Sequence, residues 1–387
     1  MVSLPLARAF YFLSLGALGG MVPLLAARLD AADLGGSALG AMMAMLPLGR
    51  LLSAPMWAWA ADRWRMAGLL LRIGCLVALV GAALILFAEG PLTAAAGIFL
   101  FAVGRAPLGP LVDAAVLESL SAAGTDRAEY GRIRLWGSAG FLFCALLAGD
   151  LADRVGLDPV WVGLALLAAT FVCAFWFPTR GEGGPAPVLP ALRELAREPF
   201  LVPFLVTGFL QALTLSVYDT FFSTHVHALG LPDIVTGAAV AVGVTCEVVV
   251  MRFARPLLVR FGAARILLAA TVLGVPRWAL TAVVTDPAML VAIQALHGVV
   301  FGAFWIAGIQ LMAERAPARV MASAQSLFSA VSYGFGALLG AFLAGEVREW
   351  GGTDGVFEAL AAISVLAVGS AMALQRRERA RTQPATP

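Results

Sequence analysis

From residue 6 to residue 374 the chain alternates long apolar runs with short polar breaks. Twelve runs can be drawn: 6–28, 36–60, 69–88, 92–117, 134–152, 159–177, 200–227, 235–254, 264–284, 288–312, 322–345 and 356–374. Most are close to the ~20 residues that carry a helix across a bilayer. Several contain Gly and Pro, which membrane helices tolerate. None shows the ten-residue alternation of a membrane barrel strand. The first run is too long for the apolar core of a cleaved leader, and eleven more follow, so it is expected to be retained. The pattern predicts an all-α membrane protein with twelve transmembrane helices.

The polar breaks predict orientation. With the N-terminus placed in the cytoplasm, the inside loops and tails hold 20 Arg, among them Arg63, Arg65, Arg72, Arg127, Arg132 and Arg134. The outside loops then hold three, Arg28, Arg154 and Arg348. Basic residues collect on the cytoplasmic side of membrane proteins, so both termini are expected there. All 26 basic residues are Arg, which has no evident physical reason.

The longest break, residues 178–199, begins with the Gly/Pro-rich "PTRGEGGPAP" and continues into "LRELARE", which reads as a short surface helix. It divides the chain into a six-helix bundle at 1–177 and another at 200–375, followed by a tail at 376–387. Internal likeness suggests duplication. Sliding "RLLSAPMWAWAADRWRMAGLLL" onto "EVVVMRFARPLLVRFGAARILL" sets Arg63 against Arg260 and Arg50 against Glu247. A second ungapped match, "YGRIRLWGS" on "MASAQSLFS", places Arg105 within one residue of His297. Two pseudo-symmetric halves with a substrate site at the midplane between them fit this pattern.

Composition agrees with a lipid environment: 61% of residues are hydrophobic, 13% are charged, and the mean hydropathy is +0.90. Soluble domains are about 45–50% apolar and about 25% charged. Cys75, Cys144, Cys173 and Cys246 stand singly in apolar runs and read as small buried residues, with no metal-binding spacing. Against this background, Arg50, Arg105, Asp113, Asp219, Glu247 and Arg277 fall well inside runs, and His297 has Gln294 one turn before it. A charge at a membrane helix centre costs about 2.5–3.5 kcal/mol on insertion scales, and such groups mark substrate, ion or proton routes. Salt bridges holding helices in register are the plainer alternative.

"EYGRIRLWGSAGFLFCALLAG" resembles the signature of the major facilitator superfamily branch that contains phenylpropionic acid permeases and, further off, lactose permease. "PLGPLVDAAVLESL", "GVTCEVVV", "GVPRWAL" and "IQALHG" are similar to the fourth, eighth, ninth and tenth helices of that branch. The superfamily's loop between helices two and three stands as "AWAADRWRMAG": Asp62 and Arg63 match, while Ala58 and Arg65 occupy usual glycine positions. The resemblance implies the major facilitator fold. It implies substrate contacts from Asp113, Arg134 and Phe141, the last standing where lactose permease has a stacking Trp. It implies proton coupling through Glu247, Arg277 and His297; a further acid one turn on is absent, and Val300 stands there. Arg50, Arg105, Asp219 and Gln294 are added to the substrate set from their places inside runs.

The chemistry of these groups agrees. Burial favours a neutral Glu, and a nearby Arg restores the charge, so Glu247 can gain and lose a proton as its surroundings alternate. Arg cannot carry a proton this way, while His297 is a second titratable group. No nucleotide-binding, hydrolase or metalloprotease motif occurs. Neither an enzyme activity nor a cofactor is expected. The preferred reading is a proton symporter for a small organic solute, an aromatic carboxylate or a sugar-like molecule. A proton-coupled efflux antiporter for drugs or metabolites is the second reading, and a non-transporting membrane sensor the third. The expected partners are substrate, protons and lipid, with no nucleic acid, for a monomer in a bacterial inner membrane.

Overall fold

The computed structural model describes residues 2–33, 38–123, 128–178, 198–316 and 321–382, apart from the side chains of residues 62, 128, 321–323 and 382. The helix expected over "LRELARE" lies outside them, except for Glu198. Among the described residues the chain is all helical. The helices are α1 (Leu4–Ala31), α2 (Ala38–Trp64), α3 (Ala67–Leu86), α4 (Pro91–Arg105), α5 (Leu108–Ala122), α6 (Ala128–Val155), α7 (Pro159–Cys173), α8 (Leu201–Ala228), α9 (Asp233–Arg252), α10 (Ala254–Phe261), α11 (Ala263–Val283), α12 (Pro287–Ile293), α13 (Phe304–Arg315), α14 (Met321–Ser329) and α15 (Ala337–Thr382).

The starts follow from local chemistry. Asp158 and Asp286 each precede a Pro, and their carboxylates accept from Val160 N at 2.9 Å and from Met289 N at 2.8 Å. Each acid satisfies a backbone donor that the helix leaves free, and the Pro after it has none to lose. Arg65, in a usual glycine position of the superfamily loop, has φ 53°. The tight link from α2 to α3 thus keeps a glycine-like backbone with a non-glycine residue.

Eleven helical stretches among the described residues are long and apolar enough to cross a membrane. The first ten runs drawn from the sequence each overlap one of them. The last two fall together in Ala324–Arg381, 58 residues long. At about 1.5 Å per residue this is about 87 Å of helix, far beyond a hydrocarbon core of about 30 Å. Gly352, with φ 64° and ψ −169°, breaks it. The break is this one non-helical residue, inside "GGTDG".

The fourth run, Pro91–Ala122, is interrupted at Ala106–Pro107. Pro107 has no N–H to give the carbonyl four residues back, Val103. Trp57 Nε1 of α2 donates to that carbonyl instead, at 2.9 Å. The tenth run is interrupted too: α12 passes through a 3₁₀ turn, Gln294–Leu296, into π-helix at Gly298–Ala303. A second π-helical stretch covers Ala330–Gly336.

The chain separates into two compact units, Met1–Pro185 with Asp219–Ala241, and Ala186–Tyr218 with Val242–Pro387. In the first, α1 and α6 pack through reciprocal glycines: a Cβ on Gly19 would meet Phe141 O at 2.2 Å, and one on Gly140 would meet Phe12 O at 2.2 Å. Without a hydrophobic force between helices in lipid, such close backbone approach supplies the packing energy. Phe10, Val112, Val116, Ile133 and Phe177 form part of its core. In the second unit Phe204, Leu267, Phe304, Leu311, Phe328 and Leu374 do the same. Leu92 and Val259 remain more than four-fifths exposed, as lipid-facing side chains would.

Candidate functional site

In the second unit the polar groups sit around one tyrosine. Tyr218 of α8 is buried, and Arg277 of α11 lies over its ring, with Cζ 4.4 Å from the centroid. The guanidinium is also 4.0 Å from the Trp278 ring. Arg277 is 0% exposed. It donates from Nε at 3.2 Å and from NH2 at 2.9 Å to Oε1 of Gln294, likewise 0% exposed. Gln294 Nε2 donates in turn to Leu290 O at 3.2 Å, and Thr281 Oγ1 donates to Arg277 O at 2.9 Å. A charge this deep stands only where hydrogen bonds and ring faces replace water.

His297 follows one turn after Gln294. Its ring is 5.7 Å from Tyr218 and stacks on Phe301 at 5.3 Å. It is 8% exposed, and its Nδ1 has no hydrogen-bond partner among the described residues. The Glu247 helix lies against the same segment: a Cβ on Gly243 would come within 3.3 Å of His297 Cβ, and one on Gly302 within 3.1 Å of Glu247 Cγ. The π-turn after His297 presents Val300 O to Gln211 Nε2 at 2.9 Å. π-turns inside α-helices often occur at functional sites because they redirect side chains and free carbonyls.

The first unit carries two separate groups. Asp113 of α5 pairs with Arg134 of α6 at 3.1 Å and accepts a hydrogen bond from Tyr11 of α1. Arg134 Cζ is 5.7 Å from the Tyr11 ring, and Tyr130 stands beside Asp113. The second group is Arg50 of α2 with Arg105 at the end of α4; the two helices pack closely here, since a Cβ on Gly49 would meet Ala102 Cβ at 2.8 Å and Phe99 O at 2.9 Å, and the two charges are near enough to interact. Arg105 donates to Ser14 O, and its Cζ lies 5.9 Å from the Phe101 ring.

The structure thus brings Arg277 to Gln294, sets His297 one turn on and Glu247 on the helix packed against it, joins Asp113 to Arg134, and sets Arg50 beside Arg105. Phe141 belongs to the α1–α6 contact, its backbone against Gly19 and its side chain half-buried. Asp219 is exposed, directly after Tyr218. Arg63 is exposed at the end of α2, and the side chain of Asp62 lies outside the described residues. Arg105 and His297, brought within one residue of each other by the internal match, both stand where a membrane-length run is interrupted.

Sequence reasoning misses Tyr11, Tyr218, Trp278 and Thr281. A signal existed for the first two: the chain has only four Tyr. Tyr11 and Tyr130 flank Asp113, Tyr218 sits between Arg277 and His297, and Tyr333 touches the Phe301 ring edge-on at 6.3 Å.

Residues 6–359 match the MFS_1 like family. A maltose permease of Geobacillus stearothermophilus is 31% identical over 96% of this chain and 94% of its own length. A probable 3-phenylpropionic acid transporter of Escherichia coli is 26% identical over 62% of this chain and 64% of its own length. Among solved structures, the nucleoside transporter NupG superposes with a TM-score of 0.88 at 20% identity, over 97% of this chain and 99% of NupG. At that identity the superposition speaks for the fold alone.

Proposed function

The chain belongs to the MFS_1 like family, and on that premise we propose that it is a proton symporter moving a small organic solute by alternating access. That it is a multi-pass membrane transporter follows from its relatives and its helices. Proton coupling and solute class go further. The observation that carries them is the buried polar cluster of the second unit, where Arg277, Gln294 and His297 are each less than a tenth exposed. An apolar membrane helix gains nothing from these groups unless they serve a route through the protein. Glu247, against Gly302 on the same segment, is the proposed proton carrier. Arg277 supplies the fixed cation of the set, His297 is a second titratable group, and Gln294 fixes Arg277.

On this reading, counting both sides of Gly352 gives twelve crossings in two six-helix bundles, 1–177 and 200–375. The linker 178–199 and both termini are cytoplasmic, and the protein works as a monomer in a bacterial inner membrane. Asp113, Arg134 and Tyr11 bind solute in the first bundle, with Phe141 and Asp219 as further contacts and Asp62 and Arg63 in the conformational loop. The relatives' solutes, maltose and 3-phenylpropionic acid, span the sugar-like and aromatic carboxylate classes. The test is uptake into proteoliposomes with and without an imposed pH gradient. Accumulation driven by an acidic exterior supports symport. Substrate-driven proton release would make the protein an antiporter instead.

A further inference from the structure

We infer that Arg50 and Arg105 form an anion subsite that takes the carboxylate group of the transported solute. The inference rests on the transporter reading and deepens it.

Arg50 lies twelve residues into α2, a helix of 27 residues, so about 18 Å of helix precedes it. That is near the middle of a bilayer. Arg105 ends α4 in the middle of the run Pro91–Ala122. Two like charges near enough to interact at this depth oppose one another as well as the loss of water. Among the described residues neither has a carboxylate partner. Acids of the first unit are engaged elsewhere: Asp113 with Arg134, Asp158 with Arg28, Glu129 with Arg8 and Arg132, Asp150 with Arg154, and Asp233 with His227.

The two cations differ in a useful way. Arg105 is half-buried and held by the Ser14 carbonyl and the Phe101 face, so its position is set. Arg50 is exposed. A mid-helix guanidinium open to solvent in a membrane protein faces a water-filled route or a ligand, since facing lipid is costly. A guanidinium fork matches a carboxylate in two parallel hydrogen bonds. One fixed fork and one open fork make a clamp that closes on an anion. A neutral sugar would leave both charges uncompensated, whereas an organic anion neutralises one of them.

The test uses the purified full-length protein in lipid nanodiscs. Thermal unfolding is followed with sodium 3-phenylpropionate, benzoate and gluconate, with neutral 3-phenylpropanamide and maltose, and with equal sodium chloride. We expect at least one carboxylate, but neither neutral compound, to raise the unfolding temperature above the chloride control. Arg50→Gln should weaken that carboxylate at least tenfold, Arg50→Lys less, and Arg50→Gln alone should unfold no earlier than the parent. The inference is overturned if no carboxylate stabilises, if chloride alone stabilises equally, if the amide matches its acid, or if Arg50→Gln leaves carboxylate affinity unchanged. Counterflow of maltose and 3-phenylpropionate in proteoliposomes separates the two readings. Maltose flux with no flux of 3-phenylpropionate defeats the anion subsite and leaves transport standing. Carboxylate binding without any flux defeats transport and leaves the subsite.

Discussion

Gln294 accepts two hydrogen bonds from Arg277 through a single amide oxygen, at 3.2 Å from Nε and 2.9 Å from NH2, with both side chains fully buried. A carboxylate in that place would neutralise Arg277 in every state of the protein. An amide orients the guanidinium and leaves its charge to act on other groups. The 3₁₀ turn at Gln294–Leu296 carries Gln294 and leads directly into His297, so orientation of the cation and placement of the imidazole share one piece of backbone.

Replacing Gln294 by Leu removes a charge-assisted acceptor from a buried cation. The expected destabilisation is about 1.5–3 kcal/mol, read as earlier thermal unfolding. Gln294→Glu should fold as well as the parent, yet slow proton-driven uptake, because it holds Arg277 in a permanent ion pair. Unimpaired uptake by the Glu variant would show that the charge of Arg277 does not take part in coupling.

Glu247→Gln imitates the protonated carboxyl with nearly the same shape. If Glu247 carries the coupled proton, solute exchange across proteoliposomes continues while uphill accumulation falls to the level set without a pH gradient. A purely structural acid predicts another outcome: loss of a buried ion-pair partner costs roughly 3–5 kcal/mol, and the variant inserts poorly. A stable Gln variant that still concentrates solute would move the carrier role to His297.

Trp57→Phe keeps the ring and removes the donor that serves Val103 O. The orphaned carbonyl beside Pro107 should cost about 1–3 kcal/mol. Pro107→Ala restores a backbone N–H four residues along, and the double variant should recover most of the loss. Unfolding temperatures of the two single variants and the double variant measure the coupling directly.

Single cysteines test topology. A label at Arg381, exposed near the end of α15, should react only from the cytoplasmic side. A label at Asp354, two residues past the Gly352 break, should react only from outside; Gly352 itself, at φ 64°, is a poor site for any side chain. Swapped accessibility would invert the proposed orientation and remove the basis for cytoplasmic termini.

The membrane-length runs were legible because apolar length is the one property that lipid selects for. Their interruptions were not. Pro107 stands in plain view, but Pro is tolerated inside membrane helices, and only the Trp57 donor explains how the freed carbonyl is satisfied. "GGTDG" has the composition of a turn, yet helix continues on both sides of Gly352. Within the sites, Asp113 with Arg134 was legible from the resemblance to permeases. Arg277 was expected beside an acid, and its bond to Gln294 was hidden because periodicity shows helix faces and not which neighbour meets them. Tyr11 and Tyr218 escaped for a similar reason: an aromatic in an apolar run looks like core until a charge is found against its ring or its hydroxyl.

The π-turn at Gly298–Ala303 also stores a choice of register. It holds one residue more than an α-helical path would use. Winding the same residues as regular α-helix, with none deleted, would turn everything from Phe304 onward by about 100° relative to His297. Phe304 and Leu311 would leave the hydrophobic core of the second unit, and Val300 would withdraw its carbonyl from Gln211. The extra residue therefore works as a spacer between two rotational settings of the tenth run, one serving the polar cluster and the other serving the packing beneath it.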